Sequence, residues 1–312
     1  MKVRKIIFAY RRGQAKMGGK FMRVDQLGDI ARAHFPEHYQ ITSAFVPRGR
    51  YEKQTKKFLQ ACEGAVVIFH KSAASNMDPE GRAALRKVAA GICVDHLDII
   101  VGPMEPGFFD VHISSSRAGE GELVRNLDQL GAVPGTQVRH LRHHADPRLY
   151  GVSAARLKSV KPGYFGAASN VDDLEAFPKD TIMPTYNPED VDGFLASFAQ
   201  SNLHLCVRTP YARTSHGALS TKPFTKGFGA AVVKANALVN RQVHDAVHYL
   251  GEDYPFMIPE SSASAIAEGV HKAHDAFGTA EWKLGLDRMA DMAAYISPVE
   301  VARELKQIVD LF

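Results

Sequence analysis

The sequence predicts an α/β fold built as two domains. Apolar strands alternate with amphipathic helices both before and after residues 147–168, and this alternation favours parallel sheets with right-handed crossovers. The length of 312 residues suits two domains, since a domain commonly holds about 150 residues. We therefore expect a first domain over 1–155 and a second over 156–312, the second ending in a helical tail. A capping box formed by Ser297 and Glu300 lets the chain turn sharply after Ile296, so the last helix can cross back onto the first domain.

Short apolar runs predict the strands of the first half, at 3–10, 41–46, 65–69, 110–113 and 137–141, with one more within 92–101. Apolar residues at helical spacing predict helices at 21–34, 52–62 and 79–90. In a parallel sheet the ligand crevice lies beyond the carboxyl ends of the strands. We therefore expect functional residues in the loops that follow these strands.

One of these loops, at 11–20, is basic and glycine-rich and admits two interpretations. It lacks the G-x-G-x-x-G spacing of a dinucleotide site. It could be a mobile loop that places Gly18, Gly19 and Lys20 at a substrate, or it could be a plain surface loop.

The second half begins with a predicted strand at 163–170. Its end is rich in small residues, including Gly166 and Ala167, which let a ligand approach the backbone closely. Asn187 and Pro188 are typical of a helix start, and this helix should run to about residue 200. Further strands are expected at 237–240 and 256–258, and helices at 243–250, 264–277, 282–296 and 298–311.

The stretch 202–235 is the most informative part of the chain. Apolar residues alternate over 203–208 with the side chains of His204, Cys206 and Arg208, a period of two that predicts a strand. A polar loop follows. A helix is then expected to open with Ser220, Thr221 and Pro223.

That helix start would place Lys222 and Lys226 on one face of the first turn, because the two lysines are four residues apart. The N–H groups and the dipole at a helix N-terminus attract anions. With Arg208 at the end of the preceding strand, the two lysines form a candidate diphosphate site. The alternative is an ordinary capped helix with solvated lysines.

Composition places the chain among globular proteins, with 45% hydrophobic and 23% charged residues. A net charge of +4 suits a small anionic ligand, and no basic stripe with interleaved aromatics indicates nucleic acid. The three cysteines lie in or beside apolar runs, which predicts buried thiols. No signal-peptide pattern or membrane-spanning run is found, so we expect a cytoplasmic protein, with peripheral membrane contact left open.

Histidines raise the question of a metal. His140, His143 and His144 are clustered, but the sequence has no cysteine pair and no H-E-x-x-H. We therefore expect no metal site and no required cofactor. His144 and Asp146 are instead candidates for deprotonating an acceptor hydroxyl. In the alternative interpretation they lie in a turn and Asp146 caps a helix.

Three segments of the second half, in this order, resemble the donor domain of GT-B glycosyltransferases, which have two facing Rossmann-like domains. They are GYFGAASN, HLCVR…STKPFTKGFGAA and ALVNRQVHDAVHYLGEDYPFMI. The first half is similar more loosely, through its opening strand, GGKFMRVDQLGDIA, DVHISSSRAGEGEL and VRHLRHHADPRL. Together these segments cover most of the chain.

The resemblance implies a glycosyltransferase that moves a sugar from a nucleotide-sugar co-substrate. The donor diphosphate would be held by Arg208, Lys222 and Lys226, with Ser220 and Thr221 at the helix start. The donor-side loops would contribute Gly166, Ala167, Asp245 and His248. The first domain would bind a glycan or lipid-linked acceptor, with Gly18, Gly19 and Lys20 in its acceptor-side loop.

The chain departs from this class at one position. Many members have a glutamate that holds the donor ribose, where this sequence has His248, with Asp245 a turn earlier. The alternative function is therefore a catalytically silent protein of the same fold that binds a nucleotide, a glycan or a partner chain. The sequence does not indicate an oligomeric state.

Overall fold

A computed structural model describes residues 3–15, 17–49, 51–171, 174–186, 189–209 and 221–312, without the side chain of Ser169. The described chain divides into two compact units. The first unit comprises residues 3–143, 221–223 and Pro298–Phe312; the second comprises the described residues of 144–209 and Phe224–Ser297. The division falls after His143, earlier than the expected 155, and the last helix belongs to the first unit.

Six strands form the parallel sheet of the first unit, in the order β2-β1-β3-β4-β5-β6. They are β1 (Arg4–Tyr10), β2 (Tyr39–Phe45), β3 (Ala65–His70), β4 (Gly91–Leu97), β5 (Val111–Ser114) and β6 (Gln137–His140). All residues of β3 and β4 are buried. Continuous apolar runs are expected for parallel strands that are covered on both faces.

Successive residues of β1 and β3 point to two separate apolar cores. Ile6, Phe8 and Val66 belong to one core, and Ile7 and Val67 belong to the other. Burial on both faces holds the register of these central strands, because a slip by one residue would exchange the two sets of side chains. The carboxyl ends of the strands are thereby kept at one edge.

The helices α1–α5 of the first unit are α1 (Gly18–Lys20), α2 (Leu27–His34), α3 (Glu52–Cys62), α4 (Pro79–Val88) and α5 (Arg117–Arg125). A π-helical segment, Phe21–Gln26, joins α1 to α2. The expected loop at 11–20 is therefore wrong in part, because it contains a short 3-10 helix, Arg12–Gln14, and its last three residues are helical. Asp78 caps α4, since its Oδ1 accepts a hydrogen bond from the Gly81 N–H at 2.7 Å.

Four strands form the parallel sheet of the second unit, β7 (Pro162–Gly163), β8 (Leu203–Leu205), β9 (Asn236–Asn240) and β10 (Met257–Ile258). Their order is β10-β9-β8-β7. The strand expected over 163–170 is much shorter than predicted, because the chain leaves the sheet after Gly163 and forms a 3-10 turn at Ala168–Asn170.

The helices of the second unit are α6 (Val191–Ser197), α7 (Thr225–Val232), α8 (Ala246–Leu250), α9 (Ala263–Ala276) and α10 (Ala280–Tyr295). The predicted helix start at Asn187 and Pro188 lies outside the described residues. Among those described, Asp190 caps α6 by accepting a hydrogen bond from the Gly193 N–H at 2.9 Å.

The helix α11 (Pro298–Val309) completes the first unit. Val301, Leu305 and Ile308 lie at helical spacing and share a core with Leu27 and Ile30 of α2. The predicted helical tail is confirmed as two helices, α10 and α11, although they belong to different units. In the described part of the chain, no helix combines the length and the apolar character needed to cross a membrane.

Candidate functional site

The ammonium group of Lys226, the second residue of α7, lies among residues that directly follow strands of the second unit. Its Nζ donates hydrogen bonds to the Val207 carbonyl at 2.9 Å and to the Tyr164 hydroxyl at 3.1 Å. The same Nζ lies 4.3 Å from the centroid of the Tyr164 ring, a favourable cation–π distance. Tyr164 follows β7 and Val207 follows β8, so the cation lies where these two strands end.

Arg208 contributes a second cation next to Val207. Its Nη2 donates to Asn170 Oδ1 at 2.8 Å. Its backbone is fixed by Asn240, the last residue of β9: the Arg208 N–H donates to Asn240 Oδ1 at 2.9 Å, and Asn240 Nδ2 donates to the Arg208 carbonyl at 3.0 Å. The predicted position of Arg208 beyond the end of a strand is thus set by neighbouring strands.

Tyr164 connects the two cations to the turn that follows β7. Its hydroxyl donates to the Ala167 carbonyl at 2.7 Å. Burial raises the pKa of Tyr164 to about 12, although the positive charge of Arg208 acts in the opposite direction. The hydroxyl is therefore protonated at neutral pH and remains a donor to Ala167.

Gly166 is the point of closest approach in this turn. A Cβ atom at this position would lie 2.7 Å from Cε of Lys226 and 2.9 Å from the Tyr164 hydroxyl, a separation at which one of the groups would have to move. The small residue is needed so that Lys226 can lie against the turn. The structure therefore brings together four predicted donor residues: Gly166, Ala167, Arg208 and Lys226.

A pocket of about 480 Å³ adjoins the same turn. Its aromatic and apolar side chains include Phe165, Met183, Tyr186 and Phe194. Tyr186 and Met183 are 55% and 42% exposed, and the rings of Tyr186 and Phe194 meet edge to face, with centroids 5.3 Å apart. Exposed apolar surface lining a pocket is typical of a ligand site.

The predicted start of the helix after the polar loop is wrong. The helix α7 begins at Thr225, and Phe224 precedes it without a side-chain cap. Phe224 is buried and packs near Phe228, with ring centroids 5.9 Å apart, so core packing determines where the helix begins. Lys222 therefore lies before the first turn and does not share a helical face with Lys226.

Other residues of that predicted cap are placed elsewhere. Thr221 and Lys222 belong to the first unit. The Thr221 N–H donates to the Asp98 carbonyl at 3.1 Å, and Thr221 Oγ1 would lie 2.6 Å from a Cβ added to Gly119 in α5. Ser220 lies outside the described residues.

Asp245 and His248 lie at α8 of the second unit. Asp245 has φ of 64°, a left-handed conformation that is uncommon for a non-glycine residue and often marks functional sites. The Tyr249 N–H donates to the Asp245 carbonyl at 3.0 Å. His248 is exposed, and its ring meets that of Tyr249 edge to face at 5.0 Å.

His144 and Asp146 lie in the second unit. His144 is fully buried, and its Nδ1 is 2.7 Å from the Ala145 carbonyl, so this nitrogen donates and carries the proton. Asp146 caps the 3-10 helix Pro147–Gly151, where its Oδ1 accepts from the Arg148 N–H at 3.0 Å. Its Oδ2 also pairs with Arg148 Nη2 at 2.6 Å. This geometry favours the capping interpretation of Asp146.

The acceptor-side residues lie at the start of the first long helix of the first unit. A Cβ on Gly19 would be 2.8 Å from Cδ2 of Leu97 and 3.5 Å from Cε1 of His70, so only glycine allows this approach without a shift. Lys20 Nζ forms an ion pair with Asp25 at 2.7 Å. Gly18 has open space around it.

Asn170, Asn240 and Tyr164 are site residues that sequence reasoning missed. Tyr164 follows β7, Asn170 ends a 3-10 turn and Asn240 ends β9. Their bonds to Lys226 and Arg208 join segments that are distant in sequence, so no local pattern indicates them. Within the described residues, no group of three or more His, Cys, Asp or Glu side chains could hold a metal ion.

No protein-family model and no curated protein matches the sequence. Solved structures are similar over nearly the whole length. Sucrose-phosphate synthase from Thermosynechococcus elongatus has a TM-score of 0.62 and 14% identity, covering 99% of this chain and 98% of that one.

Two further structures agree with it. A glycosyltransferase from Rickettsia africae has a TM-score of 0.64, 9% identity, and coverage of 100% and 99%. HepE of Anabaena in complex with UDP has a TM-score of 0.65, 10% identity and full coverage of both chains. The fold is that of the GT-B glycosyltransferases. The fold predicted from the sequence is thereby confirmed.

Proposed function

We propose that this GT-B chain transfers a sugar from a nucleotide-sugar donor to a hydroxyl group of a glycan or lipid-linked acceptor. The observation that carries the proposal is the placement of Lys226 and Arg208 beside the turn of Gly166, where Lys226 contacts Tyr164 and the Val207 carbonyl and Arg208 contacts Asn170, beyond the carboxyl ends of β7 and β8. Ligands of open α/β sheets bind at this edge, and paired cations suit a diphosphate.

The neighbouring aromatic pocket supports a nucleotide rather than an isolated diphosphate. Its volume of about 480 Å³ and its rings offer a stacking surface for a nucleobase, and such stacking contributes about 1–3 kcal/mol per base. Uridine is the first nucleoside to test, because HepE was solved with UDP. Asp245 and His248 are proposed for the ribose.

In the proposed reaction the charge that develops on the departing diphosphate is stabilised by Lys226 and Arg208, as preorganised cations stabilise transition states elsewhere. His144 is the proposed base. Its Nδ1–H donates to the Ala145 carbonyl, so in this tautomer Nε2 carries no proton and is the basic nitrogen of the ring. No cofactor is required by this scheme.

The donor site is tested by measuring UDP and uridine binding to Lys226→Ala and Arg208→Ala by calorimetry. Each variant should weaken UDP binding by about ten- to a hundredfold, because a charge-assisted hydrogen bond contributes about 1.5–3 kcal/mol. Uridine binding should change much less. Lys158→Ala and Arg156→Ala, at exposed positions of the same unit, are the matched controls and should bind UDP as the wild type does.

An equal loss of UDP and uridine binding, or no loss in either variant, would contradict the diphosphate assignment. The release of glucose from UDP-glucose, measured by chromatography, then distinguishes an enzyme from a catalytically silent binding protein. Turnover that is lost in His144→Gln while UDP binding is retained would support the assigned base. UDP binding without any turnover would favour the alternative, a catalytically silent protein of this fold.

A further inference from the structure

The first unit contains a cavity of about 540 Å³ at the carboxyl ends of β1 and β2. Its described lining consists of Arg11, Arg12, Gly13, Phe45, Arg48, Tyr51, Gln54 and Asn76. The volume lies within the usual range for small-molecule sites, about 300–1,000 Å³. None of these residues belongs to the proposed donor site.

Three arginines give this cavity its chemical character, and we call it the arginine pocket. Arg11 follows β1 directly, Arg12 begins the next 3-10 helix, and Arg48 follows β2 by three residues. Arg12 lies over the ring of Phe45, with its Cζ 5.0 Å from the centroid. The side chain of Arg12 is thus positioned by an aromatic face.

The charged side chains in the described lining of the arginine pocket are all positive. Among the described residues, no Asp or Glu lines the arginine pocket or forms an ion pair with its arginines, whereas Arg82 and Arg86 of the same unit pair with Glu105 and Asp110. Leaving several cations together without counter-ions is unfavourable unless an anion binds.

Neutral donors complete the lining. Gln54 is an exposed amide of α3, and Tyr51 is an exposed phenol just before it. The acidic residues nearest in sequence are Glu52 and Asp78. Asp78 Oδ1 caps α4, and the Asp78 carboxylate also lies beside Gly49 and lines a neighbouring cavity together with Arg48. The outer turns of α3 add three lysines, Lys53, Lys56 and Lys57.

We propose that the arginine pocket binds the phosphate group of the acceptor, so that the acceptor is a phosphate monoester that also carries the hydroxyl to be glycosylated. The planar guanidinium presents paired N–H donors that match phosphate oxygens. Gln54 and Tyr51 are placed to contact the remainder of the molecule. The assignment of the bound phosphate to the acceptor rests on the proposed function. The existence of a phosphate site in the arginine pocket does not depend on it.

The test compares binding of hexose 6-phosphate, the parent hexose and inorganic phosphate to the full chain by calorimetry. The wild type should bind hexose 6-phosphate at least tenfold more tightly than the hexose. Arg12→Ala and Arg48→Ala should each lose about ten- to a hundredfold in affinity for hexose 6-phosphate. Arg48→Lys keeps the positive charge but not the paired N–H donors of the guanidinium, so it should lose less affinity for hexose 6-phosphate than Arg48→Ala.

Matched measurements separate this site from the donor site. Arg125→Ala removes an arginine at the end of α5 and should leave both affinities unchanged. UDP binding should be normal in the Arg12 and Arg48 variants, and hexose 6-phosphate binding should be normal in Lys226→Ala. If the wild type binds hexose 6-phosphate through these arginines but binds no nucleotide, the proposed function fails and the phosphate site stands.

The same phosphate chemistry could be presented by a lipid headgroup. Vesicles of phosphatidylcholine with phosphatidic acid, compared with phosphatidylcholine alone, distinguish this source: arginine-dependent sedimentation without hexose 6-phosphate binding would assign the phosphate to a lipid. The proposal is overturned if the Arg12 and Arg48 variants bind every phosphate probe as the wild type does. It is also overturned if these variants lose affinity for UDP and keep their affinity for hexose 6-phosphate.

Discussion

At the scale of single residues, the candidate site depends on how closely Lys226 approaches the turn after β7. Its ammonium group is held by the Val207 carbonyl and the Tyr164 hydroxyl, and its stem passes the position where Gly166 has no side chain. Because these contacts fix the orientation of the lysine, less side-chain entropy is lost when an anion binds. The glycine is therefore part of the binding geometry.

Gly166→Ala should weaken UDP binding by about tenfold, because the added methyl group would lie 2.7 Å from Cε of Lys226 and displace one charge-assisted contact. Stability should fall by about 1–3 kcal/mol, as is usual for overpacking, since the methyl group also meets the buried Tyr164. Calorimetry and urea unfolding measure the two effects.

Gly151→Ala is the matched control, because a Cβ at Gly151 meets no atom within 4 Å. It should change neither UDP affinity nor stability. Normal UDP affinity in Gly166→Ala would show that the position of Lys226 against the turn does not matter for the diphosphate.

Residue patterns predicted part of this site and missed the rest for a physical reason. Arg208 and Gly166 were identifiable because strand ends and small residues leave local signals. The helix start at Ser220 was wrong because burial of Phe224, a tertiary contact, determines where α7 begins. Tyr164 and Asn170 were missed because their bonds to Lys226 and Arg208 join segments far apart in sequence.

At the scale of secondary structure, β8 shows what periodicity does not reveal. Alternation over 203–208 predicts one buried face and one polar face. Leu203, His204 and Leu205 are nevertheless all buried, because both faces of the parallel sheet are covered. His204 packs against Phe165, with ring centroids 4.6 Å apart, and is 2% exposed. A polar residue in the alternating pattern is here a core residue.

Burial lowers the pKa of His204 from 6.5 to about 3, so the folded protein keeps this ring neutral while the unfolded chain protonates it as the pH falls below about 6.5. The unfolded state then binds more protons, and stability decreases with falling pH by roughly 1.4 kcal/mol per unit. This loss extends from about pH 6.5 down to about pH 3. Above about pH 6.5 the contribution is constant.

His204→Phe should remove this part of the pH dependence. Urea unfolding between about pH 7.5 and pH 5 should show a slope smaller than that of the wild type by roughly 1.4 kcal/mol per unit below pH 6. His271→Gln alters an exposed histidine of α9 and serves as the control that leaves the slope nearly intact. An unchanged slope in His204→Phe would mean that His204 takes up protons without unfolding.

At the scale of the whole molecule, the alternating pattern predicted an α/β chain with two parallel sheets, and both are present. The pattern did not predict that residues 221–223 belong to the first unit. The capping box of Ser297 and Glu300 did indicate that the last helix can cross back onto the first domain, and Pro298–Phe312 belongs to that unit. That assignment depends on contacts such as those of Leu305 with the core of α2, which join the two ends of the chain. Periodicity reports the local environment of an element and not the unit that it joins.

Three buried cysteines report separately on the two units. Cys62 and Cys93 lie in the first unit and Cys206 in the second. Burial raises the pKa of Cys62 and of Cys206 to about 12, so each thiol is neutral and shielded until its surroundings open. Alkylation in increasing urea, read by mass spectrometry at each cysteine, therefore gives a separate unfolding midpoint for each unit.

UDP should raise the midpoint at Cys206 more than the midpoints at Cys62 and Cys93, because the proposed donor site lies wholly in the second unit. At about 100 times its dissociation constant, a ligand stabilises the folded state by about 2.7 kcal/mol, which corresponds to a shift of roughly 1 M urea. In Lys226→Ala, at the same UDP concentration, the shift should shrink as the affinity falls. A larger shift at Cys62 and Cys93 than at Cys206 would place nucleotide binding in the first unit and contradict the donor assignment.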